Sequence, residues 1–293
     1  MIPPHSKPFH NLLILPLTLM MLTSMACSKG AHTEDTSTKP PLDSGIEALR
    51  VFDFNRSYEL FQHMYATSSH EDKDWPLITY NYGISAWLRT PTTAEDVTLA
   101  INLLSSVTAQ YPDSIYSAAA LLDLGRIAEV SDFRGDPTDV TQARIYYERV
   151  RTEFPNSEMS TRASLFLAQT YAQTLEQDKI NKAISILEAC ILQETNEKWI
   201  GVLALYLGEL YNSYLNQPDD AVDPLMLAFK SGLPRPSSAD SHLWTIGMLA
   251  EKAGRDSVAL EAYQRIINDY PRTVFRSVSQ ERIRKIQMKQ PDA

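Results

Sequence analysis

The sequence predicts an all-α protein, an α-solenoid of about five to six helical hairpins finished by a C-terminal capping helix. Three observations carry this expectation. The stretch Ala143 to Gln173, ARIYYERVRTEFPNSEMSTRASLFLAQTYAQ, spaces Ala143, Tyr147 and Val150 at i, i+4 and i+7, turns at Pro155, and resumes with Ala163, Phe166, Leu167, Ala168 and Tyr171. Such a helix–turn–helix cannot bury its apolar faces alone, and copies of it recur. Small residues at Ala100, Ala143, Ala183, Ala221 and Ala259 are separated by 43, 40, 38 and 38 residues. Each opens one apolar stripe, continued by Leu104, Tyr147, Leu187, Leu225 and Tyr263 and then by Val107, Val150, Cys190, Ala228 and Ile266. The turns fall at Pro112, Pro155, Thr195, Leu233 and Pro271, with a proline one place late at Pro234. Counting 13 from Pro112, Pro155, Thr195 and Pro234 gives a second register of small residues, Gly125, Ala168, Gly208 and Gly247, each preceded by Leu or Ile. Small residues at such positions let two helices approach closely.

The chain opens with Lys7 among polar residues, an apolar run from Leu12 to Leu22, and Thr-Ser-Met-Ala before Cys27. Eleven apolar-rich residues, interrupted by Pro16 and Thr18, are too short to span a bilayer. Residues 1–26 therefore read as a secretory signal peptide. Ser24-Met25-Ala26-Cys27 resembles the bacterial lipobox, although Ser24 stands where Leu is usual. That resemblance implies that Cys27 is diacylated, exposed by cleavage and N-acylated, with Ser28 tilting the address toward the outer membrane; a plain signal peptide with an incidental cysteine is the alternative. Acyl burial contributes about 0.8 kcal/mol per CH₂, so three chains would anchor the protein durably. Residues 27–43 are polar, carry Pro40-Pro41 and no aromatic, and read as the lipidated cysteine and a disordered tether. As a coil the tether would span roughly 20 to 24 Å.

Residues 44–74 read as an N-terminal helical pair, with Leu49, Phe52, Phe61 and Met64 as its apolar set. The repeats occupy 75–271, where Tyr82-Gly83, Ala86 and Trp87 form a degenerate first helix whose partner starts near Thr93. Thirteen residues beyond Pro271 stands Arg284, too large and charged to admit another helix, so 272–293 reads as a capping helix and tail.

Leu207-Gly208, Tyr211 and Ala221, and again Ala259, Tyr263 and Pro271, resemble the tetratricopeptide repeat (TPR), whose 34-residue period is exceeded here. The resemblance implies a TPR-like solenoid with a concave groove lined by the first helix of each pair. By the family's register that groove would be faced by Leu122, Arg126, Leu165, Gln169, Leu205, Glu209, Trp244 and Met248, an apolar floor with polar points suited to an amphipathic segment. The same leucines and Trp244 could instead pack between helices. Two secondary surfaces stand beside it. Phe133 and Arg134 lie on the insertion Val130 to Val140, a pairing common at hot spots, with a plain spacer as the alternative. Arg282, Arg284 and Lys285 collect basic charge on the last helix, for an acidic partner or simply a solvated cap.

Net charge is −9, which argues against a nucleic-acid partner. No metal or cofactor is implied: His63, His70 and His242 are isolated, and neither HExxH, GxSxG nor GxxxxGK occurs. Asp219, Asp220 and Asp256 stand where helices start and read as caps and dipole partners, and Cys190 as a buried packing thiol. A non-enzymatic binding protein is the expectation. The turns Tyr111 to Ser114, YPDS, and Phe154 to Ser157, FPNS, together with the lipobox-like leader, make the chain similar to the BamD-type outer-membrane assembly lipoproteins. This implies a scaffold facing the periplasm from the outer membrane, holding an envelope protein or peptide segment in its groove. A pilotin-like lipoprotein serving a type IV pilus secretin is the alternative, and a glycan-binding or cell-wall enzyme lipoprotein a more distant one.

Overall fold

The computed structural model describes residues 41–289. The expected signal peptide, the expected lipidation site Cys27 and most of the expected tether lie outside the described residues. Thirteen α-helices and no strand occur among the described residues. They are α1 (Leu42–Arg50), α2 (Phe54–Thr67), α3 (Trp75–Leu88), α4 (Ala94–Gln110), α5 (Ile115–Glu129), α6 (Val140–Glu153), α7 (Glu158–Ala172), α8 (Gln177–Gln193), α9 (Glu197–Glu209), α10 (Pro218–Ser231), α11 (Ala239–Lys252), α12 (Asp256–Asp269) and α13 (Arg276–Lys289). A π-helical turn, Leu210–Tyr214, prolongs α9, and a 3₁₀ turn, Pro236–Ser238, leads into α11. The described residues thus form a TPR-like α-solenoid fold of six hairpins and a final single helix. Its residues form two compact units, one running up to Ser117 and including Asp132–Asp136, the other comprising Ala118–Ser131 and the chain from Pro137 on.

The two sequence registers meet in space. A Cβ on Gly125 of α5 would lie 2.4 Å from the ring of Tyr147 in α6, and one on Gly247 of α11 would lie 2.4 Å from the ring of Tyr263 in α12. On Gly208 of α9 it would lie 2.5 Å from Leu225 in α10, and on Gly83 of α3, 3.1 Å from Leu104 in α4. Each small residue is the socket for the large residue of the next helix, which locks a hairpin in one register. Ala100, Ala143, Ala183, Ala221 and Ala259 are all fully buried. Burial also pushes the Tyr147 phenol far above its ordinary range.

Turn chemistry repeats as well. In the YPDS, FPNS and YPRT turns the N–H groups of Ser114, Ser157 and Thr273 donate to the carbonyls of Tyr111, Phe154 and Tyr270 at 3.0, 3.1 and 3.1 Å. Proline at the second position presets the required φ. At Thr195 and Leu233 the proline is missing, and those joints differ: α8 ends on extended Glu194 and α10 on Gly232 with φ 96°. Helix starts are fixed by side chains at Asp53, Asp139, Ser157 and Asn196, and by a reciprocal Thr93–Asp96 capping box on α4. Asp219, Asp220 and Asp256 take the dipole half of their expected role, not the N-cap position itself. They sit in the first turns of α10 and α12, where a carboxylate meets the helix dipole, while the N-cap positions are Gln217 and Arg255, and Asp219 pairs with Arg255 at 3.6 Å.

Helix α13 ends the stack as a half-buried cap. Ile286 and Ser279 are fully buried, Ile283 and Phe275 pack on the last core cluster, and Arg284 is exposed. One member of the expected N-terminal apolar set is misplaced: Phe61, Met64 and Leu49 are buried, but Phe52 is 51% exposed.

Candidate partner-binding surface

All eight expected groove residues lie in the second unit, on α5, α7, α9 and α11. The structure divides them. Leu122 and Leu165 are 1% and 4% exposed, while Leu205 and Trp244 are half-buried. These four stand three residues before Gly125, Ala168, Gly208 and Gly247. On a helix, i and i+3 share a face, so a residue three before the socket is drawn into the same contact. An apolar floor of Leu122 and Leu165 is therefore not available to a partner. Trp244 packs with its ring 5.5 Å from Tyr263 and stacked at 5.4 Å on Phe275, the residue leading into α13.

The positions one residue after the sockets fare differently, because a 100° step turns them away from the contact. Glu209 is exposed, Met248 is 36% exposed and Gln169 is half-buried. Arg126, in the same register, is buried against Glu129 and places its guanidinium 4.7 Å over the ring of Phe166. The first-helix face thus offers Gln169, Glu209 and Met248, with part of Leu205, a more polar surface than the sequence suggested. Hydrogen bonding and charge would orient a partner there, with Met248 as the adaptable apolar contact.

The insertion after α5 is a held loop, not a drifting spacer. Trp87 Nε1 donates to Asp132 at 2.7 Å, the Asp132 N–H donates to Asp136 at 3.0 Å, and Gly135 takes φ 91°. Phe133 is half-buried in it and Arg134 exposed. On α13, Arg282 pairs with Glu251 at 3.4 Å and Lys285 with Glu281 at 2.5 Å. Both ion pairs diminish the basic patch expected of the cap, of which Arg284 and Lys285 are exposed.

Sequence reasoning missed a cavity of about 440 Å³ lined by Arg151, Ser157, Ser160, Thr161, Ser164, Cys190, Glu194 and Trp199 among others. Cys190 is half-buried here, a correction to its expected full burial. It stands in the stripe of Val107 and Val150, but the facing side of α7 carries Ser160, Thr161 and Ser164 in place of apolar groups. Its polar wall is internally satisfied. Arg151 Nε donates to Ser164 at 3.0 Å, and Glu194 accepts from Thr161 at 2.5 Å and from the N–H groups of Thr195 and Asn196 at 2.9 Å each. Burial opposes ionisation of Glu194, yet those hydrogen bonds outweigh it and hold the carboxyl below its ordinary range. Burial likewise pushes the Cys190 thiol up, away from a reactive thiolate. The polar run on α7 was the available signal.

Among the described residues no cluster of His, Cys, Asp and Glu could hold a metal, and no helix is long and apolar enough to cross a membrane. No curated protein matches the chain. The family model described as tetratricopeptide repeat matches residues 119–157 and 243–273. Each matched stretch contains one socketed pair, Gly125 with Tyr147 or Gly247 with Tyr263, and one proline turn. Together with the succession of helical hairpins, these matches support a tetratricopeptide-repeat protein.

Proposed function

We propose that the chain is a non-enzymatic scaffold, anchored by acyl chains on Cys27, that holds an envelope protein or a peptide segment of one while the bacterial outer membrane is built or maintained. The observation that carries the reading is the run of interlocked hairpins matched in two places by the tetratricopeptide repeat, a family that generally binds protein partners. The leader and lipobox-like sequence before Cys27 supply the proposed address. The partner face is the first-helix surface bearing Gln169, Glu209 and Met248, presented by rigid helices.

Radiolabelled palmitate should enter the wild-type protein and not Cys27→Ala, and the wild type alone should fractionate with the outer membrane. Affinity capture from solubilised envelopes should recover a defined partner, and Glu209→Lys with Met248→Ala should reduce its yield at unchanged fold. Secretin recovered as that partner selects the pilotin-like role. Unlabelled wild type, or a partner indifferent to both substitutions, contradicts the proposal.

A further inference from the structure

The corner between α1 and α2 carries an outlier of two kinds at one residue. Phe52 adopts φ 64°, a left-handed conformation that costs a side chain with a Cβ, and it holds its ring 51% exposed beside Val51, which is 60% exposed. The joint between α11 and α12 has the same hydrogen bonds. The N–H groups of Val51, Phe52 and Asp53 donate to the carbonyls of Glu47, Leu49 and Ala48, as those of Ala253, Gly254 and Arg255 donate to Leu249, Glu251 and Ala250. At the place of Phe52 that second joint has Gly254, with φ 75°. Glycine is the residue such a helix end prefers, so the fold does not ask for phenylalanine. Leu175, before α8, also pairs a positive φ of 58° with 70% exposure. The Phe52 corner differs in its aromatic ring and in lying one helix from the N-terminal tether, and strain kept at an exposed aromatic points to something that covers it.

The corner is also held still. Asn55 donates from its amide to the carbonyl of Thr90 at 3.0 Å and accepts from the Thr90 N–H at 3.1 Å, while Asp53 caps α2 through the Arg56 N–H at 3.2 Å. Arg56 stands exposed beside the tip, while Arg50, also exposed, is paired with Glu47 at 3.3 Å. A rigid apolar tip of Val51 and Phe52 beside the Arg56 guanidinium fits the headgroup boundary of a bilayer, where an aromatic body is buried and Arg meets phosphate.

We infer that the Val51–Phe52 corner docks on the lipid surface to which Cys27 is anchored, fixing how the first unit meets the membrane. This rests on the anchoring reading above. Fourteen residues, 28–41, separate Cys27 from the start of α1, a contour of at most about 50 Å, and the corner lies one nine-residue helix further on. So small a tip would bind a free bilayer weakly. On an anchored chain the encounter is intramolecular, at an effective concentration on the order of millimolar, and a small tip suffices.

The test uses the lipidated full chain reconstituted in vesicles of phosphatidylethanolamine and phosphatidylglycerol. Flotation of wild type, compared with Cys27→Ser, reports the anchor; emission added by Phe52→Trp over the four native tryptophans reports the corner. The expected result is a blue shift of the added emission on reconstitution and its quenching by lipids brominated near the headgroup. Phe52→Gly should leave the unfolding midpoint unchanged or raised. Added emission that stays unquenched in floating protein overturns the docking and leaves the anchor standing. Emission already shifted before vesicles are present points to a second copy or another protein surface as the cover, and also overturns it. So does a lowered midpoint for Phe52→Gly, while wild type that fails to float removes the anchor and the docking together.

Discussion

Gly125→Ala tests the interlocking of the two registers. In an unconstrained helix interior this change stabilises by about 0.5 to 1 kcal/mol, because glycine has more backbone freedom to lose. Here the new Cβ would sit 2.4 Å from the Tyr147 ring, and Tyr147 is fully buried, so the ring has nowhere to retreat. Overpacking of this kind costs about 1 to 3 kcal/mol, which offsets or outweighs the gain and leaves a net loss of up to about 2.5 kcal/mol. The α7–α8 hairpin shows how the loss should be recovered, since it carries Ala168 and Leu187 at the same register positions, both fully buried. Gly125→Ala with Tyr147→Leu should therefore be more stable than the sum of the single changes predicts, with a coupling of about 0.5 to 3 kcal/mol. Urea unfolding of the four forms, without leader and lipid, gives the cycle. A stabilising Gly125→Ala, or strictly additive changes, would refute the socket.

Tyr147→Phe should be neutral or stabilising by about 1 kcal/mol in the same assay, because the Tyr147 hydroxyl is buried and finds no hydrogen-bond partner among the described residues. Trp244→Ala should cost about 2 to 4 kcal/mol and loosen α13, seen as faster amide exchange there, since the indole stacks on Phe275 and packs on Tyr263. The Glu194 carboxyl is held below the ordinary 4.5, so its contribution is present above that value and lost as pH falls through the folded one. Glu194→Gln should accordingly be less stable than wild type at neutral pH, with the difference closing toward pH 3. Cys190 should react slowly with maleimide in the folded chain at pH 7 and rapidly once unfolded, as burial raises its thiol.

Hairpin number and pairing were legible in the sequence because close helix approach leaves a direct trace, a small residue facing a large one at fixed offsets. The openness of each first-helix face was not. Both Leu122 and Arg126 fit a groove register, and only the direction of the Gly125 socket decides that Leu122 is sealed by it. Cys190 follows the stripe of Val150 but faces Ser160, Thr161 and Ser164, whose effect appears only when α7 and α8 are laid together. The Val130 to Val140 insertion looked like a spacer because the contact that holds it, Trp87 with Asp132, spans 45 residues. Phe52 reads as one more core aromatic until its backbone conformation is known.

The central claim is that the first-helix face of the repeats holds an envelope partner. Photocrosslinking in intact cells tests it most directly, with the reactive side chain placed in turn at Gln169, Glu209 and Met248, and for comparison at Ile145 and Leu227, which are exposed on the second helices α6 and α10. The account predicts one shared adduct from the first three positions and its absence at the other two. Adducts of equal yield from both sets, or from the second helices alone, would contradict it.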